Sequence, residues 1–84
     1  MSGPNKRVEV LYFASLRDAA GVASEQVELV DGDLAALYAR LQARHGFALP
    51  QERLRVAVDG AFARWNEPLR DGSSVAFIPP VSGG

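Results

Sequence analysis

The sequence predicts an α+β domain in two layers, a sheet with one main helix across one face. Three observations predict it. Short runs of β-branched and aromatic residues are punctuated by Asp-Gly pairs. A single long stretch carries an apolar stripe at helical spacing. The element order is strand, short helix, strand, long helix, then three strands, and such an order suits one helix packed on a sheet.

Val8 to Phe13 reads as the first strand, with Val8, Val10 and Tyr12 on one face and Glu9, Leu11 and Phe13 on the other. Ser15 to Ala20 reads as a short helix, with Ser15 as its cap, Asp18 as capping-box partner and Gly21 as its stop. Gln26 to Val30 reads as a second strand that ends at the Asp31-Gly32 turn. The main helix is expected from Leu34 to His45. Asp33 is its cap; Leu34, Leu37, Tyr38 and Leu41 form its stripe; Gly46 closes it.

Leu54 to Val58 and Ala61 to Trp65 read as a hairpin through Asp59-Gly60. That turn pairs Val58 with Ala61 and Ala57 with Phe62, and so points Phe62 away from the face of Val56 and Val58. Ser74 to Ile78 is the last strand, after a turn at Asp71-Gly72. The expected architecture is a β-grasp: a mixed sheet of about five strands whose first and last strands lie side by side at its centre, with the helix on one face. Residues 7–78 form the domain, residues 1–6 a polar leader and residues 79–84 a tail.

The 84 residues suffice for one domain. The formal net charge of −1 gives no global basic field, and nucleic acid is not an expected partner. The absence of cysteine removes disulfides, thiolate metal sites and a cysteine nucleophile. It accords with a cytoplasmic location. No apolar run reaches membrane-spanning length, so no membrane association is expected. The one histidine, His45, falls in the last turn of the main helix, where a cation complements the dipole. The carboxylates fall at turns and helix starts, where capping explains them.

The tail is the unusual feature. Pro79 and Pro80 fix φ and lack N–H donors, so the chain leaves the sheet there along an extended path. Val81, Ser82, Gly83 and Gly84 follow, and no side chain from Gly72 onward is charged. Six extended residues reach about 20 Å. Two terminal glycines make a thin probe whose tip is a carboxylate, suited to a narrow channel in a partner.

Val10-Leu11-Tyr12-Phe13-Ala14, Arg17, the Val56-Ala57-Val58-Asp59-Gly60 segment, Pro68-Leu69, Asp71-Gly72 and the run from Val75 to Gly84 resemble the family of molybdopterin synthase small subunits, which are ubiquitin-like sulfur carriers. The resemblance spans Val8 to Gly84, and Pro-Pro-Val-Ser-Gly-Gly is its most specific part. It implies that an ATP-using activating enzyme adenylates the Gly84 carboxylate and that a sulfur donor protein converts it to a thiocarboxylate. That group then delivers sulfur to cyclic pyranopterin monophosphate in the large subunit, within a heterotetramer. On this reading the chain binds no cofactor or metal itself, and the large subunit holds the catalytic residues. Gly84 and Gly83 form the reacting terminus. Phe13, Phe62 and Ile78 form an apolar docking face opposite the helix, Pro79, Pro80, Val81 and Ser82 form the inserted segment, and Arg17 lies near the interface. Two alternatives share the same terminus: a sulfur carrier for thiamine, tRNA thiolation or cysteine, and a ubiquitin-like modifier of lysines.

Overall fold

The computed structural model describes residues 6–29 and 32–80. The leader Met1 to Asn5, the strand end at Val30, the first half of the Asp31-Gly32 turn and the tail from Val81 lie outside the described residues. Five strands, β1 (Lys6–Tyr12), β2 (Ser24–Leu29), β3 (Arg55–Val58), β4 (Ala61–Ala63) and β5 (Ser74–Ile78), and two helices, α1 (Ala14–Ala20) and α2 (Leu34–His45), follow one another as expected. A 3-10 turn at Gln51–Arg53, which carries no periodic signal in the sequence, precedes β3.

The strand order is β2-β1-β5-β3-β4. β1 and β5 run parallel at the centre and the other pairs are antiparallel, which gives the mixed β-grasp sheet. Alternation along the strands fills one face with Val8, Val10, Tyr12, Val27, Val56, Val75 and Phe77. The α2 stripe of Leu34, Leu37, Tyr38 and Leu41 closes over them. Aromatic rings thread this layer: Tyr38 stacks on Phe47 and leans on Phe77, and Trp65 lies parallel to Phe77.

Helix α2 has the expected bounds and caps. Asp33 Oδ1 accepts from the Ala36 N–H at 2.9 Å, and Gly46, at φ 73, donates its N–H to the Gln42 carbonyl. Two more amides of the first turn go to a distant segment: Leu34 N–H to the Glu67 carbonyl and Ala35 N–H to the Trp65 carbonyl. This corrects the expected strand Ala61 to Trp65. The chain leaves the sheet after Ala63 because its carbonyls at 65 and 67 satisfy the helix start instead.

Ser15 is not the cap of α1. The helix begins at Ala14, which adopts φ 52, and Phe13 occupies the cap position with no side-chain hydrogen bond. The Phe13 carbonyl accepts from Leu16 N–H, so Ser15 already lies inside the first turn. β1 accordingly stops at Tyr12, one residue short of the expected end.

The hairpin register is as expected, Val58 opposite Ala61 and Ala57 opposite Phe62. Asp59 and Gly60 both have positive φ, 51 and 89, as a tight two-residue turn requires. Asp59 is also tied to β5: Ser74 N–H donates to its carboxylate and its own N–H donates to the Ser74 carbonyl, both at 2.9 Å.

Candidate functional site

The expected docking face is built by strand parity. Side chains alternate in direction along β3, so Arg55 and Ala57 point to the face opposite Val56, where Arg55 is exposed and Ala57 is covered. Phe62 sits opposite Ala57 and Ile78 opposite Arg55. All four therefore stand on the sheet face away from α2. Phe62 is 69% exposed, the most exposed large apolar side chain among the described residues. A residue so exposed adds little to folding, and its cost is tolerated most readily where a partner covers it.

One groove runs along this edge of the sheet. Phe62, Ala63, Trp65, Ile78, Pro79 and Pro80 line it, with Arg53 and Arg55 on its rim. The groove joins four of the expected partner-binding residues: Phe62, Ile78, Pro79 and Pro80. Phe13 and Arg17 do not line it. Phe13 is 47% exposed, and its extended backbone (φ −128, ψ 149) continues the β1 alternation onto the outer face. Its nearest ladder neighbours place it toward Ile78, because Tyr12 pairs with Phe77. Arg17 is exposed in the last turn of α1. Val81, Ser82, Gly83 and Gly84 lie outside the described residues.

Two features were not read from the sequence. Arg55 holds its guanidinium 5.6 Å from the centre of the Phe62 ring, on the groove rim. This follows from register: Phe62 faces Ala57, two residues along, so the pair is diagonal and within reach of a long side chain. The hairpin turn carried that information, but no pattern in the sequence marks Arg55.

The second is a polar cluster at the far end of the sheet. Glu25, on β2, accepts hydrogen bonds from the Tyr12 hydroxyl and, at 2.8 Å, from His45 Nε2. The His45 and Glu25 side chains retain only 15% and 19% of their exposure. Burial alone would raise the Glu25 pKa. The hydrogen bonds from Tyr12 and His45, with the nearby charges of His45 and Arg44, outweigh it and hold the carboxyl below its usual value. Burial, then the bond to Glu25, pushes the Tyr12 hydroxyl well above the usual phenol range. His45 thus does more than sit at a helix end: it ties that end to β1 and β2. Among the other carboxylates, Asp33 accepts at a helix start and Asp59, Glu67 and Asp71 accept backbone N–H groups near turns, as expected, whereas Glu28 pairs with Arg7 and Glu9 accepts from Ser74 Oγ between strands.

Residues 10–84 match the ThiS family. The chain belongs to the ThiS family. Within it, the molybdopterin synthase sulfur carrier subunit of Chlamydomonas reinhardtii is 39% identical over 89 residues, covering 93% of this chain and 99% of that protein. Among solved structures, the chain resembles a complex of subunits 1 and 2 of molybdopterin-converting factor from Helicobacter pylori, at 29% identity and a TM-score of 0.62, covering 93% of this chain and 99% of that one. It also resembles SAMP1 from Haloferax volcanii, at 26% identity and a TM-score of 0.77, with the same coverages. These family relationships accord with the β-grasp topology and with the resemblance of the Val10 to Ala14 and Val75 to Gly84 segments.

Proposed function

We propose that this chain is the sulfur carrier subunit of molybdopterin synthase and that its working group is the carboxylate of Gly84. The observation that carries the proposal is the position of β5 within a family of sulfur carriers. This central strand leads through Ile78 into Pro79 and Pro80 beside an apolar, partly cationic groove. A tail anchored on the middle strand has a rigid base, so docking of the sheet face aims the tail.

The chemistry starts outside the chain. The Gly84 carboxylate is a poor electrophile. An adenylyltransferase partner similar to ubiquitin-activating enzymes joins it to the α-phosphate of ATP and releases pyrophosphate. A sulfur donor protein then displaces AMP, leaving a thiocarboxylate. That soft nucleophile enters the large subunit and transfers sulfur to cyclic pyranopterin monophosphate, and the carrier leaves with a plain carboxylate. This chain binds no cofactor in the cycle; its contributions are the tail and the docking face of Phe13, Phe62 and Ile78, with Arg17, Pro79, Pro80, Val81 and Ser82 in partner contact. The assembly is a heterotetramer of two carriers on two large subunits, in the cytoplasm. No helix among the described residues is long and apolar enough to cross a membrane.

Intact-mass spectrometry tests this directly. After incubation with the activating enzyme, ATP and a sulfur source, the chain gains the mass difference between sulfur and oxygen. The variant lacking Gly84 stays unmodified yet melts like the wild type, because the core cluster is built from residues 8–77 and loses no member. Absence of the sulfurated species in every partner combination would sink the proposal. The likeness to SAMP1 favours one second reading, a modifier whose Gly84 carbonyl ends in an isopeptide bond to lysine. Gly-Gly remnants on lysines of other proteins in a digest distinguish it.

A further inference from the structure

The outer face of β3 carries a cation that no carboxylate among the described residues holds. Arg55 is exposed, and neither ion pair among the described residues, Arg7–Glu28 or His45–Glu25, includes it. No side-chain hydrogen bond among the described residues includes it either. Instead its guanidinium rests against the Phe62 ring, 5.6 Å from the centroid. Phe62 is itself 69% exposed. A free arginine loses rotamer entropy when it is held in this way, and a stacked guanidinium keeps its in-plane N–H donors available at its edge. The platform therefore sets the orientation of a donor fork without occupying it.

The position of the pair matters. Arg55 lies directly opposite Ile78 in the β3–β5 ladder, one residue before Pro79. Arg53 adds a second cation on the rim of the same groove, and Glu52 is its only carboxylate among the described lining residues. The groove floor is apolar: Phe62, Ile78 and the two prolines. A surface of this kind is complementary to an apolar protein patch flanked by an acidic side chain. Arginine and aromatic residues are the types that dominate such contacts.

We propose that Arg55, held on Phe62, is a carboxylate-recognition residue of the docking face. The large subunit covers Phe62 and Ile78 with apolar surface and places an Asp or Glu on the Arg55 fork. The inference rests on the reading of this chain as a sulfur carrier that docks through this face. It adds a specific function: two bonds from a planar fork fix the rotation of the carrier on its partner at the base of the tail, where a small angular error becomes a large displacement at Gly84. A lysine keeps the charge but supplies neither the fork nor the stack.

The test is the affinity of the purified carrier for the molybdopterin synthase large subunit of the same organism, by titration calorimetry at low and high salt. Arg55→Ala weakens binding about tenfold at low salt, and the difference narrows as salt screens the pair. Arg55→Glu weakens it further, and Arg55→Lys falls between Ala and wild type. Arg40→Glu, the same change of charge on the exposed side of α2 in the other layer, stays within about twofold at low salt, which separates a local contact from long-range steering. Arg55 is exposed, so thermal melts of its variants match the wild type. Wild-type-like binding by Arg55→Glu overturns the assignment, as does a loss no larger than that of Arg40→Glu. A loss in Arg55→Ala that is equal at both salts overturns it too, since that marks packing on Phe62 alone. Failure of the wild type itself to bind overturns the sulfur-carrier docking reading and the Arg55 assignment with it.

Discussion

Replacing Glu25 by Gln removes the charge at the centre of the Tyr12–Glu25–His45 cluster with little change of shape. The carboxylate accepts two hydrogen bonds, from Tyr12 and from His45 Nε2. Hydrogen bonds to a charged group contribute about 1.5–3 kcal/mol each when lost from a buried site. Glu25 keeps 19% of its side-chain exposure, so water offsets part of the loss. Gln can still accept one of the two bonds, which leaves a net cost of about 2 kcal/mol at pH 7. For a domain of this length that is a fall in melting temperature of about 8–16 °C. The pH dependence gives the sharper test. The native Glu25 carboxyl lies below its usual value, so its stabilisation is complete above the unfolded-state pKa of about 4.3 and disappears as pH falls through the native value. Urea unfolding followed by the fluorescence of Trp65, the one tryptophan, measures both curves. The gap between wild type and Glu25→Gln should be full at pH 7 and close as the solution is acidified below about pH 4. A gap below about 0.5 kcal/mol at pH 7, or one that does not change with pH, refutes the account of the cluster as a charge-assisted lock.

Two further outcomes follow from the structure. Asp33→Ala removes the acceptor for the Ala36 N–H and should cost about 1 kcal/mol in urea unfolding, with the Glu67 and Trp65 carbonyls still holding the first two amides of α2. Phe62→Ser should leave stability within about 0.5 kcal/mol of wild type, as its exposure requires, while weakening large-subunit binding at least about tenfold; a large drop in melting temperature would show that Phe62 supports the core after all.

The main helix was legible in the sequence because every signal on it agrees. Asp33, the stripe from Leu34 to Leu41 and Gly46 each act within a few residues, and the structure returns the same bounds. The hairpin was legible for the same reason, since the Asp59-Gly60 turn fixes register and register fixes which way Phe62 points. The start of α1 was not. Ser15 is a good local cap, but the end of β1 at Tyr12 and the backbone bond from Leu16 to Phe13 place the helix one residue earlier. The length of β4 was not legible either, because the carbonyls that leave the sheet do so to meet a helix start about 30 residues away in the chain.

By itself, then, the sequence determined the order of the strands and helices, the face on which the apolar residues of α2 and the central strands fall, and the stiff uncharged exit at Pro79-Pro80. These depend on periodicity, turn chemistry and the fixed φ of proline, all of which are local. The tertiary structure decided which residues from separate elements meet. It set the hairpin's Arg55–Phe62 pair beside Ile78, and it drew Tyr12, Glu25 and His45 from two strands and a helix into one cluster. Nothing local encodes such meetings: they depend on the order of strands in the sheet and on where the crossing helix ends.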